Sequence, residues 1–445
     1  MTSPDRQLHL GVNIYADGIH AAAWRTLEDP LAHLTLKHYA EVAREAERGT
    51  FDVVFMADVP AWGEDQTGRA NPSLEPTVVL GGLAAVTERV GLVGTLSTTF
   101  NDPYNLARRF STLDHVSGGR AAWNAVTTYA PAAAANFGLP ELPEHDDRYA
   151  RADEFIEVAT KLWDAWEDDA YVAELGEKLV ESGRIHPIDH RGEHFTVRGP
   201  LPLGRSPQGR PVLVQAGGSE QGKDLAARWA ELVFAAQTTL PEAQRFYAEM
   251  KRRTAAYGRD PQTINIMPGL CTVIGSTEEE ARARKTELDE IAGTEWAVAR
   301  MLTQLGVGPD EIDLDERLPE SLLVSLEKGG GSRGFVEAIT SLAREGHTAR
   351  EIALLGAGMH RWAIGTPEQI ADTIEHWFRE GAADGFNLMP DVLPAGLTTF
   401  VDEVVPLLRQ RGLFRHEYAG QTLRDHLGLP RPASRYATRD VVGAL

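Results

Sequence analysis

Short apolar runs of strand length alternate with longer amphipathic runs along most of this chain, and that rhythm restricts the fold more than any single motif. His9–Asn13 is followed by the helical pattern Thr35–Arg48 and then by Phe51–Ala57. Val90–Thr98, Ala121–Thr127, Pro211–Ala216, Leu232–Gln237, Ile264–Ile274 and Gly385–Met389 continue the series, separated by helical patterns such as Tyr104–Val116 and Leu240–Tyr257. Alternation of this kind predicts repeated βα units around a parallel sheet.

The chain has 445 residues, beyond the roughly 250–300 at which a single core usually splits. Either two domains or one enlarged barrel is expected, and about eight strand candidates match a (β/α)8 TIM-type barrel with insertions. That barrel is read as one domain over residues 1–445. Two stretches break the rhythm: 168–208, rich in Gly, Pro and His, and 294–360, with the turn Gly329-Gly330-Gly331. Long insertions in a barrel sit in its loops, and an active-site lid is expected at 294–360. Gly329–Gly331 follows no strand and lacks the Lys-Ser/Thr of a P-loop, so it reads as a flexible loop. After Thr398 the pattern predicts a helix, Thr399–Arg411, then a polar tail packed on the outside of the barrel or on a neighbour.

Charge narrows the partners. Lys and Arg total 44 against 65 for Asp and Glu, a net charge of −21, which disfavours nucleic acid and anionic membranes. The start MTSPDRQLHLGVN has no basic-then-apolar pattern, and no run approaches the roughly 18 apolar residues that span a bilayer. A soluble, cytoplasmic protein is expected. Cys271 is the single cysteine and lies in an apolar run, so a disulfide framework and a cysteine-based metal site are excluded. HExxH, GxSxG, GKS/T and a GxGxxG after the first strand are missing, which removes metal-dependent hydrolases, serine hydrolases, P-loop NTPases and Rossmann dehydrogenases as leading readings. No metal site is expected, and the chemistry points to an external cofactor.

Active sites of such barrels stand at the C-terminal ends of the strands, so polar residues there are the candidates. Asp58 ends the second strand, as a site carboxylate or a plain helix cap. The third strand changes from apolar residues to hydroxyls at Thr95-Leu96-Ser97-Thr98-Thr99. Trp123-Asn124 lies on the fourth strand, with Asn136-Phe137-Gly138 and His145–Tyr149 beyond it; these could read a ring or phosphate, or form a satisfied core network. The fifth strand runs into Gln215-Ala216-Gly217-Gly218-Ser219 and a helix start, which suits a phosphate and equally suits a tight βα turn. His20, His115 and His360 are placed by strand ends or loops entering the mouth, as proton donors or acceptors. His360-Arg361 could also hold an anionic substrate group or be a surface pair.

Ser117-Gly118-Gly119-Arg120-Ala121-Ala122-Trp123-Asn124-Ala125-Val126-Thr127-Thr128, with Asn136-Phe137-Gly138 and His145–Tyr149, resembles a specific signature. It is similar to that of the nitrilotriacetate, EDTA, dibenzothiophene-sulfone and pristinamycin monooxygenases among the bacterial-luciferase-like flavoenzymes. The likeness extends to Phe51–Asp58, Thr95–Thr99, Pro103-Tyr104, Leu113-Asp114-His115, Gln215–Ser219, Gly365–Gln369, Asp384–Leu388 and Arg411–Arg415. The resemblance implies FMN bound as FMNH2, reaction with O2 through a C4a-peroxyflavin, and oxidation of a small organic substrate at N, S or C. It also implies a separate NAD(P)H-dependent flavin reductase and a homodimer or homotetramer. By the same resemblance Asp58 and Thr95 lie near the isoalloxazine, Asn124 and His145 along the flavin, and Tyr149, Gly218 and Ser219 at its phosphate. Gly218 stands where many relatives carry a hydroxyl. A deazaflavin-dependent hydride-transferring oxidoreductase, a non-catalytic flavin-binding barrel, and a hydrolase or isomerase with a phosphate site are the rival readings.

Overall fold

The computed structural model describes residues 6–62, 68, 70–71, 74–174, 178–305, 307–328, 333–355 and 360–436. The turn Gly329–Gly331 lies outside them. Nine strands form the main sheet: β1 (His9–Asn13), β2 (Val53–Met56), β3 (Gly91–Ser97), β4 (Ala121–Val126), β5 (Val212–Gln215), β6 (Leu232–Ala235), β7 (Asn265–Ile274), β8 (Arg361–Gly365) and β9 (Gly385–Pro390). All pair in parallel. β1 to β7 follow in order, β7 pairs with β9, and β9 pairs back to β1, closing an eight-stranded barrel. Helices wrap it, as the alternation of the sequence predicts.

β8 was not expected. β7 is long enough to use one edge twice: Asn265–Pro268 pairs with β6, and Leu270–Ile274, rising past the end of β6, pairs with Arg361–Gly365. Only five residues long and just behind an insertion, β8 gives too little periodicity to be read as a strand.

Helix starts follow their capping chemistry. Thr35, Asp102, Ser219, Thr277 and Thr366 each accept a backbone N–H of the first turn, and Thr366 with Gln369 completes a capping box. Such caps contribute about 1 kcal/mol each and fix where each helix leaves its strand.

Carrying the register round the barrel sorts the inward side chains into layers of four from alternate strands. From below these are Val53, Ala122, Leu232 and Gly385; then Gly11, Val93, Val214 and Met267; then Phe55, Asn124, Phe234 and Asn387; and at the top Asn13, Thr95, Ala216 and Gly269. The lower layers are apolar and pack with Leu423, Leu427 and Leu429 of the tail. The tail therefore fills the floor of the barrel, where an outside position or a neighbour was expected. Arg424 anchors it there through a buried pair with Glu231, Nη1 to Oε1 at 2.6 Å. Beside it Arg415 pairs with fully buried Asp52 at 2.7 Å.

The signature Ser117–Arg120 also serves the floor. Gly118 and Gly119 take positive φ of 69° and 91°, which L side chains adopt rarely. The buried Arg120 guanidinium then donates to the carbonyls of Ser117, Val90, Ala84 and Thr87. Arg120 thus satisfies backbone acceptors that burial would otherwise leave unpaired.

The two insertions differ. Residues 168–208 leave the C-terminal end of helix His145–Trp163, so they begin at the floor side, and their hairpins clad helices on the outside of the barrel. Residues 294–355 form helices Thr294–Leu305, Glu320–Lys328, Arg333–Arg344 and Ala349–Leu355 with an apolar core of their own around Met301, Leu318, Ile339 and Ile352. That group enters between the strand ends of β7 and β8 and delivers His360 to the mouth. No helix among the described residues is long and apolar enough to cross a membrane.

Candidate active site

The mouth begins where the inward layers stop being apolar. Phe55 and Phe234 meet across the barrel with ring centroids 5.3 Å apart, and their layer is the lowest to carry amides midway up the barrel. Asn124 Nδ2 donates to Thr95 Oγ1 at 2.9 Å, while Asn124 Oδ1 is buried with no partner among the described residues. A buried amide oxygen left unpaired is unfavourable by about 1–3 kcal/mol, so a ligand donor there would be strongly favoured.

Above this layer the loops after β2, β3, β4 and β5 converge. Asp58 is half-buried at the exit of β2, and burial first, then the Glu75 carboxylate, raises its pKa to about 6. Asn136 Nδ2 donates to the Pro60 carbonyl at 2.9 Å, tying the loop after β4 across to that of β2. Phe100 and Phe137 stack there with centroids 4.4 Å apart. Ser219 caps helix Glu220–Trp229 by accepting from Gly222 N–H at 3.1 Å, and its hydroxyl lies 3.4 Å from that of Tyr149. Gly218 is exposed, and a Cβ there would meet nothing within 4 Å. His145 opens helix His145–Trp163 with its ring 4.8 Å from that of Tyr149. The structure therefore brings Tyr149, His145, Gly218 and Ser219 together at one helix N-terminus, with Thr95 and Asn124 deeper in the barrel. A helix N-terminus with free N–H groups and two hydroxyls suits a phosphate.

The three histidines separate. His360 enters the barrel over Gly269 and stacks on Phe234 with centroids 5.0 Å apart and rings 15° from parallel. Burial alone lowers its pKa to about 4, and its buried Nδ1 has no hydrogen-bond partner among the described residues. His20 is committed at both nitrogens: Nδ1 accepts from Ala22 N–H at 3.2 Å, leaving Nε2–H to donate to Asp289 at 3.0 Å. It locks the loop after β1 to helix Glu278–Ala292. His115 belongs to the opposite end of the barrel. It ends helix Pro103–Val116 and bonds the Gly204 carbonyl at 3.0 Å, because a helix that follows a strand upward must return to the floor. Arg361, adjacent to His360, points away from the mouth: Nη1 donates to the Thr238 carbonyl at 3.2 Å and the guanidinium lies 5.3 Å from the centre of the Trp377 ring.

Sequence reasoning missed Asn13, Asn387, Phe234 and Gly269. Asn13 and Asn387 carried the same signal as Asn124, an amide at an inward position of an otherwise apolar strand. Phe234 gave none, since an aromatic is ordinary in a strand, and Gly269 gave only the weak signal of a glycine inside a strand, where another group can approach closely.

A family profile described as luciferase-like monooxygenase matches residues 17–385. The chain is 45% identical to nitrilotriacetate monooxygenase component A of Aminobacter aminovorans, covering 97% of this chain and 99% of that protein. It is 42% identical to N-acetyl-S-(2-succino)cysteine monooxygenase of Bacillus subtilis, covering 98% and 100%. Among solved structures, a riboflavin lyase with modified FMN and riboflavin superposes with a TM-score of 0.85 at 33% identity, over 96% of this chain and 97% of that one.

Proposed function

Since this chain belongs to the luciferase-like monooxygenase family, we propose that it is the oxygenase component of a two-component system, using FMNH2 and O2 to oxidise a small organic substrate. The observation that carries the FMN reading is the pairing of two features in one mouth. A helix N-terminus bears the Tyr149 and Ser219 hydroxyls, and a buried amide oxygen on Asn124 lacks a donor deeper in the barrel. A flavin mononucleotide has a phosphate for the first and ring N–H groups for the second. A partner flavin reductase belongs to this reading, and the 45% identity to a protein named as component A of nitrilotriacetate monooxygenase supports it.

Reduced FMN supplies the electrons that activate O2. The protein's own groups do the rest. Tyr149, Gly218, Ser219 and His145 hold the phosphate end; Gly218 contributes only backbone N–H, with open space where a side chain could stand. Thr95 and Asn124 orient the ring, and Asp58 stands at the rim of the same mouth. Phe55 and Phe234 close the site from below, which keeps water from the reacting atoms on that side. His360, neutral at physiological pH, can accept a proton at its unprotonated ring nitrogen and return it afterwards. His20, held by Asp289, positions the loop after β1.

Anaerobic titration with photoreduced FMN tests this reading, followed by rapid mixing with O2 while the return of oxidised-flavin absorbance is timed. Tight binding and a delayed return are expected. No binding of FMNH2 would overturn the proposal and transfer attention to a deazaflavin.

A further inference from the structure

One polar corner of the barrel is left unused by these assignments. In the layer closed by the Phe55–Phe234 contact, Asn124 and Asn387 stand on opposite sides. Asn387 is 2% exposed, and neither its Oδ1 nor its Nδ2 has a partner among the described residues. Its register neighbours on both sides are glycines, Gly11 on β1 and Gly269 on β7. A Cβ at Gly11 would stand 3.1 Å from Asn387 Oδ1, and one at Gly269 would stand 2.3 Å from His360 Nδ1. The walls are therefore clear at the two places where the polar side chains lie. Asn13, the next inward residue of β1, adds a third buried unpartnered atom, its Oδ1.

A primary amide offers a donor and an acceptor side by side. Its complement is an uncharged edge with an N–H next to a C=O, as in a carboxamide, lactam or imide. A carboxylate matches poorly: it could satisfy Nδ2 but would set its charge against the oxygens of Asn387 and Asn13, and the two uppermost layers contain no cation to offset it. We propose that Asn387, flanked by Asn13 and His360, is a recognition subsite for a neutral amide- or imide-type edge inside the barrel. The inference rests on the flavin reading for the identity of one of its two possible occupants, the pyrimidine half of the flavin ring. The other is an amide-bearing substrate.

The side-chain NH2 signal of Asn387 in asparagine-selectively ¹⁵N-labelled protein reads the subsite directly, assigned by its loss in Asn387→Ser. Three probes are titrated: FMN, the lactam 2-pyrrolidone with and without FMN, and acetate. A shift with FMN identifies the flavin as occupant, and a shift with 2-pyrrolidone alone identifies a substrate amide. Asn387→Leu should then weaken the responding probe about tenfold, the loss of one buried hydrogen-bonding pair. An equal response to acetate, or silence with both FMN and 2-pyrrolidone, overturns the proposal, and the wild-type titration decides this even where a variant does not fold. FMN binding followed separately by fluorescence quenching keeps the two readings apart. Binding with a silent Asn387 leaves the flavin reading standing, whereas a response to 2-pyrrolidone without FMN binding leaves only the subsite.

Discussion

Replacing Gly269 by alanine should expel His360 from the barrel. The new Cβ would lie 2.3 Å from Nδ1, 2.6 Å from Cγ and 2.8 Å from Cε1 of the imidazole, closer than van der Waals contact allows, and the ring is backed by Phe234. Overpacking of this kind is unfavourable by about 1–3 kcal/mol. The charge of His360 provides a sharper signature. Its folded pKa is about 4 against 6.5 in the unfolded chain, so the native state holds the neutral ring. The stabilisation is fully present above pH 6.5 and is lost as pH falls from 6.5 towards 4, because only the unfolded chain takes up the proton there. By linkage this lowers stability by about 2 kcal/mol between pH 7 and pH 5, and on the order of 3 kcal/mol below pH 4. In Gly269→Ala the displaced ring meets solvent and titrates normally, so that share of the pH dependence disappears. Urea denaturation of both proteins at pH 7 and pH 5, with ¹H–¹³C spectra following the His360 ring, measures both parts. Equal pH dependence in the two proteins, or a wild-type His360 titrating near 6.5, would refute the reasoning.

Other substitutions probe separate links. Ser219→Ala should weaken FMNH2 binding by about 1–3 kcal/mol in anaerobic titration through loss of a charge-assisted hydrogen bond, and lower stability by about 1 kcal/mol through loss of the helix cap. Asp58→Asn should stabilise the fold at pH 8 by about 1–3 kcal/mol, allowing for solvent screening, while weakening flavin binding. The raised acid favours folding at low pH and loses that contribution as pH rises through about 6, so calorimetry at pH 3.5 should show no gain. Arg424→Ala should destabilise by about 3–5 kcal/mol, since Glu231 would be left charged and buried beneath the barrel; a loss under 1 kcal/mol in chemical denaturation would contradict the tail's role as floor.

All eight barrel strands were legible because each lies between a buried sheet and a covering helix, which imposes continuous apolar runs bounded by turns. β1, for instance, spans the same His9–Asn13 in sequence and structure. β8 was not legible, because its place exists only where β7 outruns β6. Gly218 and Ser219, proposed for the phosphate end, could be found from local chemistry, glycines and a hydroxyl at a strand-to-helix turn. The histidines could not be sorted, since direction along the barrel decides them: His115 ends a returning helix and His360 follows an insertion. The tail read as polar and peripheral because Leu423, Leu427 and Leu429 become apolar contacts only beneath a closed ring of strands.

That floor has a consequence for synthesis. β1 finds its final neighbour in β9, some 370 residues later in the chain, and the bottom of the barrel stays open until residues 423–429 emerge. A nascent chain can assemble β1 to β7 with their helices, but it carries an unsealed apolar hole until translation passes the tail. Its most aggregation-exposed interval closes only once residues 423–429 have emerged.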